Sequence, residues 1–240
     1  MYILAIETTG LKASVAIIDE NMRVWKAESD RKLSHLQNLI PLIGDLLEKS
    51  KLTLDDITHI AVSEGPGSFT GIRIGIATGK ALAQALKLPM ISVPTLMSFA
   101  WHALDFDGLI CPIFDARRDQ VYAGAYFWQE GICKQAILDD AYFIDEFLNK
   151  IDEFDPKKDK QVLMMGDGIK VYKDALEDWK AKSCRKLIIN DLSQDAESVA
   201  KLAYILYKDG KVKSYEQVKP VYLRKAEAER KLEQGLIKGK

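Results

Sequence analysis

Chemistry in this chain would have to come from a few short stretches. Ser63-Glu-Gly-Pro-Gly-Ser-Phe-Thr-Gly71 is a glycine-rich loop that leads into the helical run Ile72–Leu86. A loop of that kind ahead of a helix can cradle phosphate on its backbone amides. It matches neither common nucleotide motif. Gly-x-Gly-x-x-Gly needs glycine where Thr70 stands, and a Walker loop needs glycine where Ile74 stands, ahead of Gly79-Lys80. The favoured reading is a tight turn followed by close helix packing, with phosphate binding left open beside it.

Other candidates are thinner. Glu7-Thr-Thr-Gly10 follows the first apolar run, where a carboxylate and a turn could handle a metal and a phosphate. Asp115-Ala-Arg-Arg118 carries two guanidinium groups that could clamp an anion, or form a hairpin turn with a surface ion pair. The three histidines, His35, His59 and His102, have no His or Cys at metal-ligand spacing, and Asp30 ahead of His35 adds little. Ser34 and His35 are sequence neighbours and do not face each other on a helix, so they make a poor nucleophile–base pair. Glu64 reads as a solvated strand-end carboxylate. No catalytic constellation is assembled.

The elements that must position these residues follow from periodicity. Residues 2–6, 13–19 and 22–28 read as three antiparallel strands. A helix follows at about Leu33–Lys49, with an apolar stripe wider than one core-facing side needs and with Pro41 inside it. Ile57–Val62 is a strand, and the glycine loop leads from it into the helix that carries Gly71, Gly75, Gly79 and Ala83. Positions four apart share a face, so this face is nearly bare. Mid-helix glycines cost about 1 kcal/mol each, so a backbone packed very close is expected, from this chain or another. Pro89–Pro94 is a strand and Thr95–Leu104 a helix. The second half repeats the plan: strands at 109–115, 120–128 and 132–138, a helix at about 141–149, a strand at 162–165, a helix to about Lys182, a strand at 187–189 and a helix at 195–207. This β-β-β-α-β-α duplication is the plan of actin-like, sugar-kinase and Hsp70-type ATPase domains. It predicts an α/β chain with one subdomain at 1–104, a second at 105–218, and about 219–240 crossing back to the first.

Composition narrows the classes. The 240 residues carry a formal net charge of -1, which gives no global pull toward nucleic acid. Residues 219–240 are locally basic, with seven Lys or Arg against three Glu. Cys111, Cys133 and Cys184 form no C-x-x-C and read as reduced thiols of a cytosolic protein. Met1–Glu7 reads as a first strand rather than a leader, and no run approaches the ~18 apolar residues of a membrane span.

Gly65-Pro-Gly-Ser-Phe-Thr-Gly-Ile-Arg-Ile-Gly75, with Ser34-His35 and Leu39-Ile-Pro-Leu-Ile43 upstream, resembles the TsaB (YeaZ) family of bacterial threonylcarbamoyl-adenosine biosynthesis proteins. Asp115-Ala-Arg-Arg118, Gly166-Asp-Gly168 and Pro220-Val-Tyr-Leu-Arg224 extend the resemblance over nearly the whole chain. It implies a non-catalytic paralogue of the actin-like enzyme TsaD. With TsaD and the ATPase TsaE, such a subunit assists transfer of a threonylcarbamoyl group from threonylcarbamoyl-AMP to N6 of the adenosine beside the anticodon. The tRNAs concerned read codons starting with A. The resemblance also implies a homodimer in isolation, indirect contact with tRNA, no cofactor in the isolated chain, and room for a nucleotide at the joint with TsaD. It puts the partner surface on the helices at 33–49 and 71–86. The paralogue's two metal-binding histidines lie four residues apart; here His35 is followed at that spacing by Leu39. Glu7-Thr-Thr-Gly10 departs from the family's usual Asp-Thr-Ser turn.

The expected interface residues are therefore Leu36, Leu39, Ile40 and Ile43 on one helix and Gly71, Gly75, Gly79 and Leu82 on the other, with Arg73 and Thr78 as polar contacts. On this reading Gly75→Leu breaks assembly, checked by light scattering, and leaves the monomer folded. The alternatives are a self-sufficient actin-fold ATPase, kinase or protease, and a direct tRNA-binding module that uses the basic tail.

Overall fold

Strand β1 (Tyr2–Glu7) is buried on both sides, which is why it reads as a continuous apolar run and not an alternating one. Its even residues Leu4 and Ile6 face one helical layer, and Ile3 and Ala5 face another. The computed structural model describes residues 1–29 and 35–224, the side chains of 35–37 excepted. Asp30, Ser34, the His35 and Leu36 side chains and the basic tail from Lys225 onward lie outside the described residues.

β1 sits at the centre of the first sheet. It pairs antiparallel with β2 (Ser14–Asp19), which pairs with β3 (Val24–Glu28), and parallel with β4 (His59–Gly65), which pairs with β5 (Met90–Pro94). Helices α1 (His35–Ser50) and α2 (Phe69–Leu86) cover its outer face, and α3 (Thr95–Ser98) follows β5. The second sheet repeats the order: β6 (Gly108–Asp115) lies between β7 (Gln120–Gln129) and β9 (Gln161–Met165), with β8 (Ile132–Phe143) and β10 (Leu187–Asn190) at the edges. Helices α4 (Ile144–Phe154), α5 (Gly168–Val171) and α6 (Lys173–Ser183) cover its outer face. Two five-stranded sheets of one topology give the duplicated, actin-like α/β arrangement expected from the repeat.

Between the sheets lies a shared core. Ile3, Ala5 and Ile18 of the first sheet meet Ile110, Phe114 and Tyr126 of the second through Leu96, Phe99, Val199 and Leu202. Helix α7 (Ala196–Lys208), expected inside a subdomain at 105–218, packs on β1 and β2 of the first sheet. Its N-cap, Asp195, accepts from Glu197 and Ser198 amides and pairs with His102 at 2.8 Å. The chain has therefore crossed back well before residue 219. Lys213 then exchanges two main-chain hydrogen bonds with Met90 on the edge of the first sheet.

β8 runs to Phe143, five residues past its expected end, and α4 starts three residues late. Asp139 Oδ1 accepts from Tyr126 Oη and from Gln135 Nε2 (2.7 Å), and Gly124 leaves the space that this carboxyl fills, which keeps the strand going past residue 138.

Burial pushes the Asp139 carboxyl up from 3.8 to about 6, against the two bonds that lower it. Across that window the folded chain holds a proton the unfolded chain has released, so this group makes stability fall as pH rises, by at most about 1.4 kcal/mol per pH unit. Asp139→Asn keeps an acceptor for Tyr126 and removes the titration. Urea denaturation across the window should show the variant gaining on the wild type as pH rises to about 6 and holding that gain above it.

Candidate functional site

Helix α2 is anchored by the turn that follows β1. The Thr8 hydroxyl donates to the Gly71 carbonyl at 2.7 Å, and the Ser68 amide donates to the Thr9 carbonyl at 2.8 Å. Ser68 caps the helix, its Oγ accepting from the Gly71 amide at 3.2 Å. A Cβ on Gly71 would collide with the Thr8 carbonyl and one on Gly75 with Thr8 Oγ1. One on Gly79 would lie 2.5 Å from Val62 Cγ1, and one on Gly67 2.7 Å from Thr9 Cβ. What the bare face admits belongs to this chain: backbone at Gly71, and the side chains of Thr8 and Val62 at Gly75 and Gly79.

This corrects the expected interface. Gly71, Gly75 and Gly79 are buried against β1 and β4 and are not a surface for a partner. Leu39 and Ile43 are likewise spent on the core, packed with Leu4, Ile6, Val15 and Ile17. An apolar stripe identifies the buried face of a helix but not which body covers it, so the sequence could not separate the two cases. Ile40 is 56% exposed, Arg73 is exposed, and Thr78 and Leu82 are half-buried. Exposed Ala77, Ala81 and Ala85, at the same four-residue spacing, line the opposite side of α2 and were missed. Their alanine spacing was a signal of the same kind as the glycine spacing.

The turn also engages part of the α2 N-terminus: the Ser68 amide goes to the Thr9 carbonyl and the Gly71 amide to Ser68 Oγ, while Gly67, Ser68 and Phe69 face a cleft. Glu7, the acid in the metal-handling position, is fully buried. One of its oxygens accepts from the Thr9 amide and the other from the Ser63 hydroxyl. Burial pushes its carboxyl up from the usual range, against the lowering effect of those donors. A carboxylate with both oxygens engaged inside the fold is a poor metal ligand. Among the described residues, no three His, Cys, Asp or Glu come together as a metal ion would need.

Across from this turn lies a cleft of about 510 Å³ between the two halves. Its first wall carries Thr9, Gly67, Ser68 and Phe69, and its second Asp115, Arg117, Arg118 and Asp167. Asp115 sits at the end of β6, its Oδ1 accepting from the Arg117 amide at 2.7 Å, while its own amide donates to Asp167 Oδ1 at 3.1 Å. Burial, with Asp115 nearby, raises the Asp167 carboxyl. Arg117 and Arg118 stand exposed on the β6–β7 hairpin turn. The other histidines are structural: His59 Nδ1 lies 3.0 Å from Thr58 Oγ1 and its ring meets Tyr207 edge-on, and His102 holds Asp195. Burial works against the Asp195 charge, but His102 and the α7 amides keep its carboxyl below the usual range. Glu64 lies at the end of β4, half-buried, as expected of a strand-end carboxylate.

The family model for TsaD, tRNA N6-adenosine threonylcarbamoyltransferase, matches residues 30–236. The tRNA threonylcarbamoyladenosine biosynthesis protein TsaB of Bacillus subtilis is 34% identical over 96% of this chain and 97% of its own. TsaB of Escherichia coli is 31% identical over 97% of this chain and 98% of its own. A crystal structure from Pseudomonas aeruginosa, described as similar to peptidase YeaZ, superposes with a TM-score of 0.78 at 28% identity, covering 93% of this chain and 99% of that one.

The packing of α2 gives a direct test. Gly75→Ala should lower stability by about 1–3 kcal/mol through overpacking against Thr8. Gly75→Leu, contrary to the expectation from sequence, should fail to give a folded monomer. Ala77→Leu, on the exposed side, should change stability by less than about 0.5 kcal/mol. Urea midpoints of the three variants check this order.

Proposed function

The chain belongs to the TsaB family of tRNA threonylcarbamoyladenosine biosynthesis proteins, and from that premise we propose that it is the non-catalytic scaffold or activating subunit of the transferase complex. It takes part in tRNA threonylcarbamoyladenosine biosynthesis in the cytoplasm. It dimerises with TsaD and works with the ATPase TsaE while TsaD transfers the threonylcarbamoyl group to N6 of adenosine. It reaches tRNA through that partner, consistent with its net charge of -1. Alone it pairs with a second copy through the same face, and any nucleotide lodges at the joint with TsaD rather than at the α2 N-terminus.

The observation that carries this reading is the exposed side of the α1–α2 layer. Ile40 stands out from α1 beside Pro41 and Gly44, and a Cβ added at Gly44 would meet nothing within 4 Å. Next to it, α2 presents Ala77 and Ala81 with Ile74, Thr78 and Leu82 half-buried alongside. Small and apolar side chains let another helix come close and cost little entropy to order. The sequestered Glu7 supports the non-catalytic part of the reading. No described helix is long and apolar enough to cross a membrane.

Reconstitution tests the role. TsaD and TsaE with tRNA and threonylcarbamoyl-AMP should transfer the group efficiently only when this chain is added, and this chain alone should transfer none. Tight ATP binding with turnover by the chain alone, read by calorimetry, would contradict the reading. Ile40→Asp with Ala81→Arg should weaken assembly with TsaD at least about tenfold, or 1.4 kcal/mol, without moving the urea midpoint of the monomer.

A further inference from the structure

The motif Pro220-Val-Tyr-Leu-Arg224 belongs to neither sheet and lines the cleft between the halves. It bonds to both walls. On the first, the Val221 amide donates to the Glu64 carbonyl at 2.7 Å, and the Val221 carbonyl lies 2.5 Å from where a Cβ on Gly65 would be. Gly65 has φ +111°, so glycine is required there twice over, by conformation and by the approach of this segment. Tyr222 stacks on Phe69 with ring centroids 4.5 Å apart. The Arg73 guanidinium lies 4.0 Å over the Phe69 ring, and its Nε donates to Tyr222 Oη at 2.9 Å.

On the second wall, Arg224 Nη1 donates to the Ala116 carbonyl and, at 3.3 Å, to the Arg117 carbonyl. The turn it holds is an unusual one. Arg117, Arg118 and Asp119 have φ of 61°, 58° and 58°, three successive non-glycine residues in the left-handed region. Such a turn persists only when its surroundings hold it. Arg224 Nη1 supplies two of the hydrogen bonds that do so.

We infer that Val221–Arg224 is a latch across the cleft. Tyr222, stacked on Phe69 and hydrogen-bonded to Arg73, anchors it to the first half, and Arg224, on the β6–β7 turn, anchors it to the second. The shared core fixes the halves along β1, β6 and α7; the latch fixes them at the cleft mouth. Releasing it frees the loop that enters α2 and the turn that carries Arg117 and Arg118, and opens the cleft between them.

Hydrogen–deuterium exchange of the full chain, read by mass spectrometry, tests this. In the Tyr222→Ala, Arg224→Ala double variant, peptides covering 64–72 and 114–121 should both exchange about tenfold faster than in the wild type. Peptides covering α4 and β9 should be unchanged. Tyr222→Phe, which keeps the stack and loses only the Arg73 bond, should fall between. Unchanged exchange at both segments, or faster exchange at one wall alone, would overturn the latch. If the double variant loses protection throughout, Arg224→Ala alone decides: 114–121 must still exchange faster than in the wild type, and wild-type exchange there would overturn the proposal.

Discussion

The contact of Thr8 and Thr9 with the glycine face of α2 is the constraint on which the rest of the structure depends. Thr8 reaches the Gly71 carbonyl, and the Thr9 carbonyl takes the Ser68 amide, only because positions 67, 71 and 75 have no side chains. The glycines cost helix stability, about 1 kcal/mol each. The close packing and buried hydrogen bonds they permit offset that cost. Three consequences follow. The helix lies flat on β1 and β4. Glu7, at the end of β1, is enclosed and turned to structural use by Ser63 and Thr9. The opposite side of α2, with its own small residues, becomes the surface that the protein shows.

The same element joins the two halves. Phe69 and Arg73, in the first turns of α2, hold Tyr222, and the chain leads on through Leu223 to Arg224 on the second half's hairpin turn. Arg73 stands four residues before Ala77 on the exposed side of the helix. A protein seated on that side would meet Arg73 directly, which sets the proposed docking surface beside the proposed latch. At the other end of the interface, Phe99, Phe114 and α7 make one core out of two sheets. Its area, unlike the latch, cannot be released without unfolding, since burial of that much apolar surface is the main stabilising term.

Much of this was legible in the residues. Apolar runs gave the strands of the first sheet, the glycine turns after β4 and β9 gave the repeat, and the spacing of Gly71, Gly75 and Gly79 announced close packing, which is with backbone at Gly71 and with side chains at the other two. What the spacing lacked was a direction. A bare helix face looks the same whether a strand of the same chain or a partner's helix fills it, and Thr8 is 63 residues away from Gly71 in sequence. Leu39 and Ile43 likewise turn into the core, while the helix turns Ile40 between them outward. The end of β8 was hidden by Asp139, a residue typical of turns, because its partners Tyr126 and Gly124 are on another strand. The latch was visible only as a motif with no role, since its anchors Arg73 and Ala116 lie about 150 and 110 residues upstream of it.

Amide exchange at the entry to α2 tests the central claim most directly. If the turn after β1 fills that helix terminus, the Ser68 and Ile72 amides, bonded to the Thr9 and Ser68 carbonyls, exchange slowly, near the rate set by global unfolding. Adding millimolar ATP with Mg²⁺, or inorganic phosphate, should leave both rates unchanged in a residue-resolved NMR measurement. Rapid exchange at Ser68, or new protection there on adding phosphate, would mean that the terminus is open and that the glycine loop is an anion site after all.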